Sequence, residues 1–249
     1  INNLDNKENK FNIIKNLKND ILNINVNYIK IIQALALNNE YLTEDENNYL
    51  IKFTDNVPYN YEDINFFVIN HLINNNIIID DYKPINSGVS ALVYKCKVNN
   101  KSVAIKILKN NAEQNLFNCF DTLEIFINIF LFFYSKNIFN IRSIFKETKE
   151  IMLNQIDMIN EKNNIIKFAK NCSNFDYLNI PLVYNIPNNT NNNTNNNTMG
   201  NNYYDNKFII MDYIDGISIN ELLLINNKEI NNIFAKIILK FGLISILFT

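Results

Sequence analysis

Apolar residues recur along this chain at two different periods, and the changes between them mark its parts. Over residues 1–55 the spacing is helical. Phe11, Ile14, Leu17, Ile21 and Leu22 fall three and four apart on one face of "NKFNIIKNLKNDIL". "YIKIIQALALNNEYL" continues in the same way. "TEDENNYLIKF" adds a further helix with Thr43 as its predicted N-cap and Glu46, three residues on, as its capping-box partner. Pro58 interrupts the pattern, and "YEDINFFVINHLINN" resumes a short helix. From Ile77 the period drops to two. "IIIDDYKPINSG" and "ALVYKCKV" read as strands, "NNKS" as a turn and "VAIKIL" as the returning strand.

Residues 112–172 return to helical spacing. Two more strand candidates follow, "IPLVYNI" (180–186) and "KFIIMDYI" (207–214). Between them lies an Asn/Thr-rich insert at about 187–206. Its side chains bury too little apolar surface to offset the entropy of ordering, so a disordered hairpin tip is expected. "INELLL" and "EINNIFAKIILKFGLISILF" close the chain as helices. Helices, strands, helices, strands, helices, without βαβ repetition, is an α+β order.

Composition removes several functions. A hydrophobic share of 47% supports a real core, and a formal charge of −2 gives no electrostatic footprint for nucleic acid. Asn makes up about a fifth of the chain and Arg142 is the single arginine, a bias that advises against reading meaning into each Asn or Lys. The one histidine, His71, sits in a helical stretch and is expected to be a half-buried structural residue. Histidine-based hydrolases and zinc enzymes therefore have almost no material here. Cys96, Cys119 and Cys172 are widely spaced, which suits buried reduced thiols and no metal site. The most apolar run, "LEIFINIFLFFY" (123–134), is short for a membrane span and carries Glu124 and Asn128. It is expected to be a buried helix or one facing a membrane surface.

The candidate chemistry lies in "GVSALVYKCKVNNKSVAIKIL" (88–108). Kinases cover nucleotide phosphates with a Gly-rich loop and bring a lysine to them from the next strand. Here Gly88 and Val93 match that loop, and Val-Ala-Ile-Lys ends on Lys106. Alternation puts Ala104 and Lys106 on one face, where a small Ala leaves room for a flat base and the ammonium meets phosphate oxygens. An ordinary hairpin with a lysine reads the same way, so this segment alone does not decide.

The order of motifs does. "YIKIIQALALNNEYLTEDENNYLIKFTDNVP" is similar to a K-x-G-Q helix and its continuation through Lys30, Gln33, Leu42, Asp55, Val57 and Pro58, with Ile32 at the Gly position. "KPINSGVSALVYKCKV" resembles a P-I-A-A-A-S-L-G-Q-V-Y loop through Pro84, Ile85, Val93 and Tyr94, with Asn86, Ser87 and Gly88 replacing alanines. "QIDMINEKNN" resembles E-L-D-Y-x-x-E-A-x-N through Asp157, Glu161 and Asn164, with Gln155 for the first Glu. "FIIMDYIDG" resembles a V-M-E-Y-I-D-G hinge with Asp212 for Glu. Taken together and in this order, they resemble the UbiB (aarF-domain) family of atypical kinase-like proteins.

That resemblance implies a protein-kinase-like N-lobe, an antiparallel sheet plus helices, with an N-terminal helical extension at 1–76. The lobe would span 77–214 and a truncated C-lobe would begin at 215–249. It implies ATP with Mg²⁺ as cofactor, Lys106 as the phosphate lysine and Glu161 as its helix partner. Lys30, Gln33 and Asp157 would complete the catalytic set. Ser87, Gly88, Ser90, Val93, Ala104, Lys106, Met211, Asp212, Tyr213 and Ile214 would hold the nucleotide. It further implies isoprenoid-quinone metabolism in a mitochondrion or plastid, with quinone-biosynthesis proteins, lipid or a membrane surface as partners.

Residue by residue, plainer readings remain: Lys30 as a solvated helix lysine, Asp157 and Glu161 facing water, Met211 and Tyr213 as strand core. No His-x-Asp and no Asp-Phe-Gly occurs in the 249 residues, so the Mg²⁺ ligands of a kinase are absent from this chain. With Ile1 first and an apolar helix ending at Thr249, a fragment of a longer protein is expected, inactive alone. A degenerate, non-catalytic scaffold binding lipid or protein is the alternative.

Overall fold

The computed structural model describes residues 57–133, 139–175, 177–186, 206–217, 219–224 and 227–248. It also describes Tyr204 and a few positions before 57, of which 24–31 are continuous. Gln33, the apolar stripe from Phe11 to Leu22 and nearly all of the Asn/Thr-rich insert lie outside the described residues.

A 3-10 turn at Tyr61–Asp63 leads into helix α1 (Phe66–Asn74). Asn65 caps α1, its side-chain oxygen accepting from the Val68 N–H. Strands β1 (Ile78–Ile79), β2 (Asn86–Ser87), β3 (Ala91–Val98) and β4 (Lys101–Leu108) follow. Next come helices α2 (Ala112–Phe133), α3 (Phe139–Asn154) and α4 (Met158–Asn171), then β5 (Val183–Tyr184) and β6 (Phe208–Asp212). Helices α5 (Ile219–Leu224) and α6 (Lys228–Phe248) end the described chain. The sheet order is β1-β3-β4-β6-β5, with β2 also on β3, and every pairing is antiparallel.

The β3–β4 hairpin forms as its alternation demands, but its turn is tighter than the four residues read from the sequence. Asn99 and Asn100 both adopt positive φ (49° and 64°), and β4 begins at Lys101. Two left-handed residues in a two-residue loop give the turn whose twist matches paired strands, and asparagine tolerates that region. "IIIDDYKPINSG" yields only the two short strands β1 and β2. Between them the Asp81 carboxylate accepts from the Lys83 N–H in a local turn, and Pro84 lacks an N–H for the ladder.

Pairing sorts the side chains onto two faces. One carries Leu92, Tyr94, Cys96, Val103, Ile105, Ile107 and Ile210, which pack with Val68, Ile69 and Leu72 of α1 into the main core. The other carries Ala91, Leu108 and Ile209 against Met158 of α4 at one end, with Val93, Ala104, Lys106 and Met211 beside them. A further cluster joins α2 and α3 through Leu116, Cys119, Phe120, Phe145 and Met152, and Ile31 of the N-terminal extension is wedged into it, fully buried. Thr43 and Glu46 form the expected reciprocal capping box. His71 is half-buried and stacks on Tyr204 with ring centroids 3.7 Å apart.

Residues 123–133 of the apolar run belong to a helix of 22 residues. It is not a buried helix: only 18% of its most apolar window is enclosed by the fold. Its inner side packs through Leu116, Cys119 and Phe120, while Ile125, Phe126, Ile129, Phe132 and Phe133 face outward.

Candidate functional site

A cleft of about 1110 Å³ opens between the β3–β4 face and helix α4. Lys106 projects into it from β4, as alternation requires. Its ammonium donates to both carboxylate oxygens of Glu161 at 2.6 Å, the two side chains being 24% and 29% exposed. A half-buried pair that keeps contact with solvent can hold its geometry and still meet a ligand.

Glu161 is aimed by the start of α4. Asp157 is the helix N-cap: its carboxylate accepts from the Asn160 N–H at 2.9 Å, and its carbonyl accepts from the Glu161 N–H at 3.0 Å. Asp157, expected in the catalytic set, is engaged here as that cap. The carboxylate satisfies the helix start and is not among the residues that line the cleft.

The N-terminal extension closes one side. Ile31, buried between α2 and α3, anchors it, and the neighbouring Lys30 reaches the cleft, donating to Gln155 Oε1 at 2.6 Å. Lys30 and Lys106, separated by 76 positions, thus meet in one cavity together with Lys167 of α4. Three ammonium groups against the single carboxylate of Glu161 make the described lining an anion-seeking surface.

Of the residues expected to hold a nucleotide, Gly88, Ser90, Val93 and Lys106 line the cleft. Ser87 does not. Paired opposite Leu92, its side chain turns to the core face, where its hydroxyl is buried without a hydrogen-bond partner among the described residues, and Asn86 takes the place at the cleft. Gly88 closes a tight turn, its N–H donating to Ala91 O at 2.8 Å. Its φ is not positive, and an added Cβ would meet only that oxygen at an ordinary 3.5 Å, so alanine fits here.

Ala104 and Met211 share the face of Lys106 but do not border the cleft. Beside them the Lys95 ammonium of β3 lies 4.1 Å from the centre of the ring of Tyr213, the residue after the end of β6, a cation–π contact. Asp212 lies on the opposite face. Its carboxylate accepts from Lys101 at 2.7 Å, from the Tyr184 hydroxyl and from the Leu182 N–H, while its own N–H donates to Leu182 O at 3.0 Å. Asp212 is thus committed to binding β6 to β5. Burial pushes its pKa up, but the hydrogen bonds from Lys101, Tyr184 and Leu182 outweigh that and hold it below its ordinary value. Ile214 is 45% exposed beyond the strand end and also lies outside the cleft lining.

Asn164, a matched motif position to which no role was given, lines the cleft from α4 together with Asn160, Lys167, Phe168 and Asn171, which the motif reading did not select. The signal was there: they continue the three-and-four spacing from Glu161 along one helix face. Pro181 and Ile180 complete the wall. Among the described residues no group of three His, Cys, Asp or Glu comes together.

A sheet lysine joined to a carboxylate on a helix packed across the same sheet is the core arrangement of a protein-kinase-like N-lobe. The sequence pattern of the ABC1 atypical kinase-like domain matches residues 80–247, more than half of the chain, and the chain belongs to that family. This agrees with the UbiB (aarF-domain) resemblance. No curated protein matches the chain.

Proposed function

We propose that the cleft binds a nucleotide of the ATP class, with its phosphates against Lys106. The observation that carries this reading is the Lys106–Glu161 pair at 2.6 Å, set in a cleft whose other described charges are the ammonium groups of Lys30 and Lys167. Glu161 would orient the Lys106 ammonium, and Lys30 would add a second cation from the extension. The lining supplies amides and one carboxylate already engaged by Lys106, so it does not fit a resident Mg²⁺. Such an ion would arrive on the phosphates.

Phosphoryl transfer is not assigned to these residues, because the loop Asp, the metal Asn and the second Asp of a kinase have no counterparts in the sequence. The family supports a role in a UbiB-type kinase or ATPase serving isoprenoid-quinone metabolism in a mitochondrion or plastid. The test is nucleotide-dependent thermal stabilisation. Wild-type chain is expected to melt at higher temperature with ATP than without, and Lys106→Ala to lose that shift while keeping its basal melting point within a few degrees. A wild-type chain indifferent to ATP and ADP, with and without Mg²⁺, would sink the reading and favour a non-catalytic module.

A further inference from the structure

Helix α4 is a wall of two cavities. Asn160, Glu161 and Asn164 line the Lys106 cleft, while Ile159, Lys162 and Asn163 line a separate cavity of about 500 Å³. The end of α1, the edge strand β5 and the start of β6 complete this second cavity. Its charge is one-sided: Lys162 supplies an ammonium, and no Asp or Glu belongs to its described lining. That ammonium donates to Asn185 Oδ1 at 2.7 Å, an amide that leaves its charge unneutralised. His71, Asn75 and Asn163 add side chains able to donate hydrogen bonds, and His71 is held by its stack on Tyr204. The carbonyls that end α1 are already taken. Asn75 Nδ2 donates to His71 O, the Asn75 and Ile77 N–H groups to Leu72 O, and the Asn76 N–H to Ile73 O. The negative end of that helix is thus satisfied internally and does not oppose an anion. Ile159, Ile186 and Phe208 supply apolar wall.

We propose that this cavity binds a small organic anion, its oxyanion group on Lys162 and its apolar body along Ile186 and Phe208, and that the bound anion steadies α4. A cavity of this size, with apolar walls and a few polar groups, has the build of a small-molecule site. Charge selects the class: an ammonium with no acid in the same lining attracts anions and repels amines. The consequence for the cleft follows from the helix they share. Among the described residues of α4 only Met158 is buried, so packing holds this helix at its first turn. A ligand joining Lys162 to β5 and α1 adds a second hold, and Glu161 is the residue before Lys162. Anion and nucleotide then tighten each other's binding. That coupling rests on the nucleotide reading of the cleft; the anion site itself does not.

Phenyl phosphate is the probe, with benzyl alcohol as its neutral counterpart and inorganic phosphate as its headgroup alone. In titration calorimetry with the full chain, phenyl phosphate is expected to bind about tenfold more tightly than either. Lys162→Gln should weaken it about tenfold, whereas Lys106→Ala should leave it unchanged, which separates this cavity from the cleft. Saturating phenyl phosphate should lower the Kd for ATP roughly threefold in wild type and not in Lys162→Gln. If Lys162→Gln melts more than a few degrees below wild type, the three probes and Lys106→Ala decide alone. The proposal is overturned if phenyl phosphate does not bind, if either control binds as tightly, or if binding survives Lys162→Gln but not Lys106→Ala. An ATP affinity indifferent to phenyl phosphate overturns it too. A chain that binds phenyl phosphate through Lys162 and ignores ATP supports the anion site and sinks only the nucleotide reading.

Discussion

The two faces of one sheet have been built for opposite ends. On the face covered by α1, Leu92, Tyr94, Cys96, Val103, Ile105 and Ile107 are each no more than 2% exposed. Burial there pushes the Cys96 thiol up to about 12 and the Tyr94 phenol likewise, which keeps both uncharged. On the face toward α4, Val93, Ala104, Lys106 and Met211 are only half-buried, and a cleft replaces the tight packing. The same strands supply both, because adjacent residues point to opposite sides. Ile105 belongs to the stability of the molecule and Lys106 to its chemistry, one residue apart.

The largest test of that division is Ile105→Ala against Lys106→Ala. The first removes buried methyl groups and should lower unfolding free energy by about 2–5 kcal/mol in denaturant titration. The second should lower it by well under half as much while removing any nucleotide response. Equal losses would mean the faces are not functionally separate. Next in size, Asp157→Ala should reduce stability by about 1 kcal/mol through the lost cap. It should also weaken nucleotide binding, since Glu161 hangs from the same helix start; an affinity unchanged alongside the stability loss would uncouple cap from site.

Tyr94→Phe should be neutral or stabilising by up to about 1 kcal/mol, because the buried hydroxyl has no hydrogen-bond partner among the described residues. A clear destabilisation would show that the dry face holds a polar contact after all.

The smallest effect concerns acid. Asp212 is held below its ordinary pKa of 3.8, so its contribution to stability is present above that value and disappears as pH falls through the depressed folded value. Wild type should exceed Asp212→Asn in melting temperature at neutral pH, with the gap closing in strong acid. A gap independent of pH would assign the effect to shape rather than charge.

Much of this was legible because local rules agreed. Strict alternation at 91–98 and 101–108 fixed which face Lys106 takes, and Thr43 with Glu46 announced their capping box. The start of α4 was equally readable as Asp-x-x-Asn, a cap signal that the motif match left unused. The outward face of α2 was obscured by Glu124 and Asn128, which look like interruptions yet lie at the seam with α3, where Arg142 donates to Asn128. The meeting of Lys106 with Glu161, 55 positions apart, follows from no periodicity: it needs α2 and α3 to pack as a pair and return the chain to the sheet. Ser87 shows the limit of a motif laid on a short strand, where one step of register exchanges Asn86 for Ser87 at the cleft.

The turn at Asn99 and Asn100 has a wider meaning for a chain with four glycines. Every non-glycine residue of positive φ among the described residues is an asparagine (Asn76, Asn99, Asn100 and Asn111), and no described glycine adopts that conformation. Left-handed backbone is sterically unfavourable for side chains with a Cβ, least so for asparagine, whose amide can bond locally. An asparagine also leaves the unfolded chain fewer conformations than a glycine would. A compositional drift toward one residue has thus been absorbed at the reversals of the backbone, where this molecule folds back on itself without the usual hinge of its alphabet.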